Sequence, residues 1–278
     1  MSISVAAEYT HFKYIKEIFK MKKISVIFFM TATALSGSAM AWTAGNDTGN
    51  LVLGGKLTPV VSNSPWEIMV GSPQNFNSVV PIGNTNVVLA PTKPINLVSI
   101  RTRSDKAFTG QRGITPQLDF QGALIGWADT TTALNRMVLE VKDSRGNRIG
   151  ELSSAVRSAA IFSYKAKTTP AFQASMHSTK VGDAFWGGLG SSNQVIQRAD
   201  DAKGLINHIN PEVLAKYDDQ GGTSIDYSND GNFSSPAYQY SSAYAAGIIT
   251  QLELALDAPA TGSTVKWKAF LPITVSYQ

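Results

Sequence analysis

Few residues of this chain have a type and spacing that could do chemistry. Of its three histidines, His177 and His208 stand apart from any HExxH or comparable metal spacing, and each reads as a surface or partly buried side chain. Asp226-x-Ser228-x-Asp230-Gly231 opens like a calcium loop, but position twelve is Ala237 where a bidentate Glu is required, so a polar turn is expected. Gly187-Gly188-Leu189-Gly190 lacks the Lys-Ser/Thr of a phosphate loop and reads as a tight bend. No Gly-x-Ser-x-Gly elbow is present, and with no cysteine there is neither thiol catalysis nor a thiolate metal site. The expectation is a protein that is not an enzyme and holds no cofactor or metal.

One group of side chains suits binding. Trp186, Tyr217, Tyr227, Phe233, Tyr238 and Tyr240 lie among Asp, Asn, Gln and Ser, the mixture a sugar site uses: aromatic faces for ring C–H groups and polar groups for hydroxyls. Large aromatics are usually packing residues, so most of these are expected inside.

The elements that must position them are strands. The charged fraction is 16% and there are 23 glycines, with short runs of alternating polarity, which favours an all-β protein. The formal charge of +4 misleads, since five of the 24 basic and two of the 20 acidic residues precede Trp42. The remainder is close to neutral, and charge indicates no nucleic-acid partner. Without disulfides, stability must come from a packed core, partner subunits or both.

Residues 21–41 have a basic start at Lys22 and Lys23, an apolar centre from Ile24 to Leu35 and an Ala39-Met40-Ala41 ending, the pattern of a secretory signal peptide. Its apolar run is too short for a membrane span. Residues 1–20 read as a non-native or untranslated extension, with Met21 as the start. Behind the cleavage site, residues 42–58 read as a free arm. Leu51, Leu53, Gly55 and Leu57 recur at a period of two, giving a strand with one apolar face and no evident groove in its own chain. Such a strand invites pairing with another chain.

Residues 59–278 read as one domain. Trp66, Ile68 and Val70 predict a core strand; residues 86–100 predict two strands split by Pro91 and Pro94; residues 113–120 predict a short one. The alternation through Met137, Leu139 and Val141 meets Asp143-Ser144-Arg145-Gly146-Asn147, a hairpin connection. From about 166 to 240 a loop and short-helix insertion is expected, with Asn210-Pro211-Glu212 capping a helix through Lys216 and an exposed loop over 218–236. Ile248, Thr250, Leu252, Leu254 and Leu256 predict one strand face. The last strand carries Trp267, Ala269, Leu271, Ile273, Val275 and Tyr277, with the arm's groove expected beside it.

Several blocks then appear in a telling order. They are the opening Trp42, Gly45, Gly49, Gly54, Gly55 and Thr58; Trp66-Glu67 with Val70-Gly71; Lys93-Pro94-Ile95; Ile114 with Pro116-Gln117; Phe185-Trp186-Gly187-Gly188-Leu189; Ala243 to Ile248; and the closing Trp267-x-Ala269 through Ser276-Tyr277. In this order they resemble the subunits of chaperone–usher fimbriae, and within them the adhesive major subunits of the K-eighty-eight type and their minor-subunit relatives. The resemblance implies an incomplete immunoglobulin-like β-sandwich, completed by donor-strand exchange between neighbouring fimbrial subunits after release from a periplasmic chaperone at an outer-membrane usher. It makes Leu51, Leu53 and Leu57 the donor side chains, and places Leu271, Ile273, Val275 and the penultimate aromatic Tyr277 in the C-terminal strand that chaperone and usher recognise. Val52 departs from the polar outward residue of that pattern. The same resemblance implies export through the periplasm to a cell-surface fimbria and a host glycan receptor, with no contact residue carried over. A secreted, monomeric lectin-like module is the alternative, and a membrane barrel fits poorly with the long polar insertion.

Overall fold

The computed structural model describes residues 64–278. The expected signal peptide and the arm with Leu51, Leu53 and Leu57 lie outside the described residues.

The described residues are mostly β, with one mixed sheet of twelve strands, a second sheet of two, and a short helix. The axis is β8 (Arg148–Ala166), a 19-residue strand shared by two groups of neighbours. The C-terminal half of β8 pairs with β11 (Tyr238–Ile248) on one side and β9 (Phe172–Ser175) on the other. Its N-terminal half pairs with β12 (Leu252–Leu256) and β7 (Leu134–Asp143). Beyond β11 come β3 (Ile95–Thr102) and then β1 (Trp66–Val70); beyond β12 comes β2 (Asn86–Leu89). Pro91 and Pro94 fall between β2 and β3, as their lost N–H groups require.

The hairpin joining β7 to β8 forms as its residues predict. The Asp143 carboxylate accepts from the backbone N–H groups of Arg145 and Asn147, and Gly146 takes φ +88°. β8 itself has no clean alternation because both of its faces are covered along the C-terminal half. Ala160 and Phe162 enter the main core, while Ala159 and Ile161 meet the helix α1 (Ala199–Ile209) through Ala202, Leu205, Ile206 and Ile209. Gly247 lets that helix approach, since a Cβ there would lie 2.7 Å from a methyl of Ile209.

Several expectations are corrected by this packing. The residues from Ile248 to Leu256 are two strands, separated by a bulge at 249–251, although Ile248, Leu252 and Leu254 still share the main core. The helix expected through Lys216 is a 3-10 segment, Pro211–Lys216, capped as predicted by the Asn210 side chain accepting from Glu212 N–H. The 166–240 insertion carries sheet strands of its own, β9 and the short β10 (Thr223–Ser224) beside it. Its 218–236 stretch is only partly exposed, because Phe233 drops fully into an aromatic cluster with Trp66, Phe108 and Tyr240. Burial there pushes the Tyr240 phenol up to about 12.

Candidate functional site

β1 is an edge strand, not the interior one that its apolar pattern suggests. Trp66 is buried, yet Ile68 and Val70, which share its face, are 43% and 59% exposed. Their direct cross-strand neighbours on β3, Ile100 and Val98, are 0% exposed. Side chains opposite one another in a sheet share a face, so the core is closed at β3 and open at β1. Among the described residues, β1 pairs with β3 alone.

The second wall of the opening comes from the C-terminus. The single strand expected over Trp267–Tyr277 divides at Pro272, which cannot donate to a ladder. β13 (Trp267–Ala269) pairs with β7, and β14 (Thr274–Tyr277) pairs with β5 (Pro116–Asp119) in the two-stranded sheet. Leu271 and Ile273 lie in the connection, while Val275 and Tyr277 are on β14. All four, with Trp267 and Ala269, are half-buried and rest against the main core. Nothing among the described residues pairs with the other edge of β13 or β14.

These two walls are tied together at one end. The Trp66 indole N–H donates to Ile114 O at 2.6 Å, and the neighbouring Thr115 exchanges two backbone hydrogen bonds, 2.9 and 3.0 Å long, with Gln278. The start of β1 and the end of β14 therefore flank one another across residues 114–115. Free strand edges beside exposed or half-buried apolar side chains can accept an extended segment, backbone to edge and side chains to core.

The outer face of β1 is pinned by charge. Lys216 Nζ lies 2.9 and 3.0 Å from the two carboxylate oxygens of Glu67, and Arg101 Nε lies 2.9 Å from one of them. Arg101 also donates to Glu212 O, so the edge strand is tied to the 3-10 segment beside a groove of about 340 Å³. The Glu67 carboxyl is held below the usual carboxylate range, chiefly by the Lys216 hydrogen bond, opposed by partial desolvation and helped by Arg101. A carboxyl with a depressed folded-state pKa stabilises above its unfolded value, about 4.3, and that stability is lost as pH falls through the folded value. Glu67→Gln is expected to cost roughly 0.5–1 kcal/mol near neutral pH after solvent screening. The difference from wild type should shrink as the pH falls through the depressed folded pKa, as urea titrations at neutral and strongly acidic pH would show.

Comparison with known proteins decides what kind of chain this is. The family described as "Fimbrial, major and minor subunit" matches residues 21–278. The chain belongs to this fimbrial subunit family. K88 fimbrial protein AB of Escherichia coli is 26% identical over 290 residues, covering 92% of this chain and 100% of that protein. K88 fimbrial protein AC of the same organism is 24% identical with the same coverage, and K88 fimbrial protein AD is 31% identical over 150 residues, 48% of this chain and 51% of that one. Members of the fimbrial subunit family are structural proteins, not enzymes, and belong to surface fimbriae.

The residues considered for chemistry have structural partners in this fimbrial subunit. His177 Nδ1 lies 3.0 Å from Ser228 Oγ, which also donates to Gln197 Oε1. Asp226 instead pairs with Arg198 at 3.2 Å. Among the described residues no His, Asp or Glu cluster could hold a metal ion. The glycine run is a packed bend: Gly187 takes φ +83°, a Cβ on it would lie 2.0 Å from Leu118 O, and Tyr244 donates to Gly188 O at 3.0 Å. Phe185 stacks on Tyr244 at 5.0 Å, so this block holds β5 against the core.

The insertion's aromatics divide. Phe233 and Tyr240 are core residues, Tyr217 packs beneath α1 with Lys203 over its ring, and Trp186 is half-buried in the bend. Tyr227 and Tyr238 are exposed. Tyr164 lies 6.3 Å from Tyr238 and 5.9 Å from Phe172, which the pairing of β8 with β9 brings beside it.

Proposed function

We propose that this fimbrial subunit is exported as an incomplete immunoglobulin-like sandwich and polymerises by strand donation, residues 42–58 of one copy filling the seam between β1 and β13–β14 of the next. The supporting observation is the exposure of Ile68 and Val70 on a face whose cross-strand neighbours are sealed. Leu51, Leu53 and Leu57 supply an apolar face of matching periodicity. Burying three leucines is worth roughly 1.5–3 kcal/mol each, and a new strand adds about 1 kcal/mol net per backbone hydrogen bond. A join of that strength holds a fibre without a covalent link.

Before assembly, a periplasmic chaperone occupies the seam and an outer-membrane usher receives the complex; Leu271, Ile273, Val275 and Tyr277 are the side chains they grip. On the cell surface the assembled subunit binds host glycoconjugates. The test uses the purified subunit released from its chaperone and a synthetic peptide of residues 42–58. The peptide is expected to raise the unfolding temperature and suppress self-association; a peptide with Leu51, Leu53 and Leu57 changed to Ser is not. Equal effects from both peptides would refute the assignment.

A further inference from the structure

Leu51 and Leu53 are the one pair of leucines in residues 42–58 spaced by two, and β1 offers an exposed apolar pair at the same spacing, Ile68 and Val70. Laying the first pair over the second fixes what meets the rest of β1, whichever way the arm runs. With the arm antiparallel to β1, Leu53 meets Ile68, Leu51 meets Val70 and Gly55 meets Trp66. With the arm parallel, Leu51 meets Ile68, Leu53 meets Val70 and Gly49 meets Trp66. Both alignments give a leucine to each exposed side chain and a glycine to Trp66, which is 3% exposed and needs no cover.

The two alignments also agree on the outer face. Val52 lies between the two leucines and Met69 between Ile68 and Val70, so Val52 stands opposite Met69 in either direction. Met69 is 43% exposed and lines the groove of about 340 Å³ together with Ser99, Asn210 and Val213. Its sulfur lies 3.4 Å from the Asn210 amide, and its neighbour on β3, Ser99, is buried. The other outward residue of β1, Glu67, already holds Lys216 and Arg101. The arm brings Gly54 or Asn50 to it, and neither adds a charge. Val52, out of place facing water, finds an apolar surface to cover.

We infer that the groove between β1 and the 3-10 segment receives Val52 of a second copy's arm, which packs on Met69 and fixes the arm's register from outside the sandwich. The assignment rests on the strand-donation reading above and adds the position at which the arm is held. A slip of two residues either way leaves a glycine over Ile68 or Val70 and puts Asn50 or Gly54 on Met69.

The chain has no cysteine, so an introduced pair reports this contact without background. Directly opposed residues on paired strands have Cα atoms about 4.5–5.5 Å apart, within disulfide reach. A peptide of residues 42–58 carrying Val52→Cys is expected to form a disulfide with the released subunit carrying Met69→Cys, and a peptide carrying Leu53→Cys, whose side chain takes the other face, is not. Fibres of a Val52→Cys, Met69→Cys chain, oxidised after assembly, should run as a covalent ladder on a denaturing gel. Val52→Ser in the peptide should weaken binding roughly tenfold. A bridge to Glu67→Cys in preference to Met69→Cys, a bridge closed within one chain of the fibre, or undiminished binding by the Val52→Ser peptide overturns the assignment. A wild-type peptide that stabilises the subunit while no bridge joins 52 to 69 overturns the register and leaves strand donation standing. No stabilisation by the wild-type peptide overturns both.

Discussion

A chain carrying Leu53→Asp is expected to be captured by its chaperone as well as wild type and to add to no fibre. Leu53 lies between Leu51 and Leu57 in the proposed donor segment. In the proposed join its side chain enters a seam walled by Ile68, Val70 and the half-buried C-terminal row, where a carboxylate has no partner to offset its lost water. The change forfeits roughly 1.5–3 kcal/mol of apolar burial and adds a few kcal/mol of desolvation. At 1.4 kcal/mol per decade, a loss of about 4 kcal/mol weakens each join roughly a thousandfold. Because a fibre needs every join, the expected readout is cells without pili by electron microscopy and a normal chaperone–subunit complex in the periplasm. Leu53→Ile, which keeps the apolar volume, should restore fibres. Normal pili from the Asp variant would end the strand-donation proposal.

A chain ended after Lys266 should fail earlier, before any partner is met. It lacks β13 and β14, and with them the six half-buried side chains that cover the open flank of the core. β5 loses its ladder partner, and Thr115 loses both hydrogen bonds to Gln278, so the platform that receives the Trp66 indole is no longer anchored. Six half-buried side chains and the lost ladder amount to on the order of 10 kcal/mol, comparable with the whole stability of an ordinary domain. The expected result is degradation, seen as absence of the truncated chain from periplasmic extracts and its reappearance in a strain lacking periplasmic proteases. Stable accumulation in a protease-proficient strain would show that the last strand is dispensable.

Where one face meets water and the other the core, the strands are legible in the sequence. β7 and its hairpin follow from alternation and from Asp143 and Gly146 alone. β8 is hidden because Ala159 and Ile161 are covered by α1 while Ala160 and Phe162 are covered by the core, which erases the period of two. The opposite error occurs at β1, where Ile68 and Val70 look like core residues because a sequence records what a side chain prefers and not whether its cover is present. At the C-terminus the alternation survives in the half-burial of Leu271, Ile273, Val275 and Tyr277, but Pro272 divides the strand between two sheets. The sugar-like composition of the insertion points to Tyr227 and Tyr238. It does not point to Tyr164 and Phe172, whose neighbourhood is made by strand pairing between distant segments.

The bulge at 249–251 has a bearing on how the chain avoids mispairing. Much of β11 and of the β8 stretch facing it is Ser and Ala, which mark their register only weakly, whereas Tyr244, stacked on Phe185, marks it strongly. The extra residues between Gly247 and Leu252 act as a notch that fits only one alignment: Tyr244 against Ala160 on one side and Leu254 against Leu152 on the other. A slipped ladder would have to drag that notch into regular pairing, so the bulge helps set the alignment of the 19-residue β8.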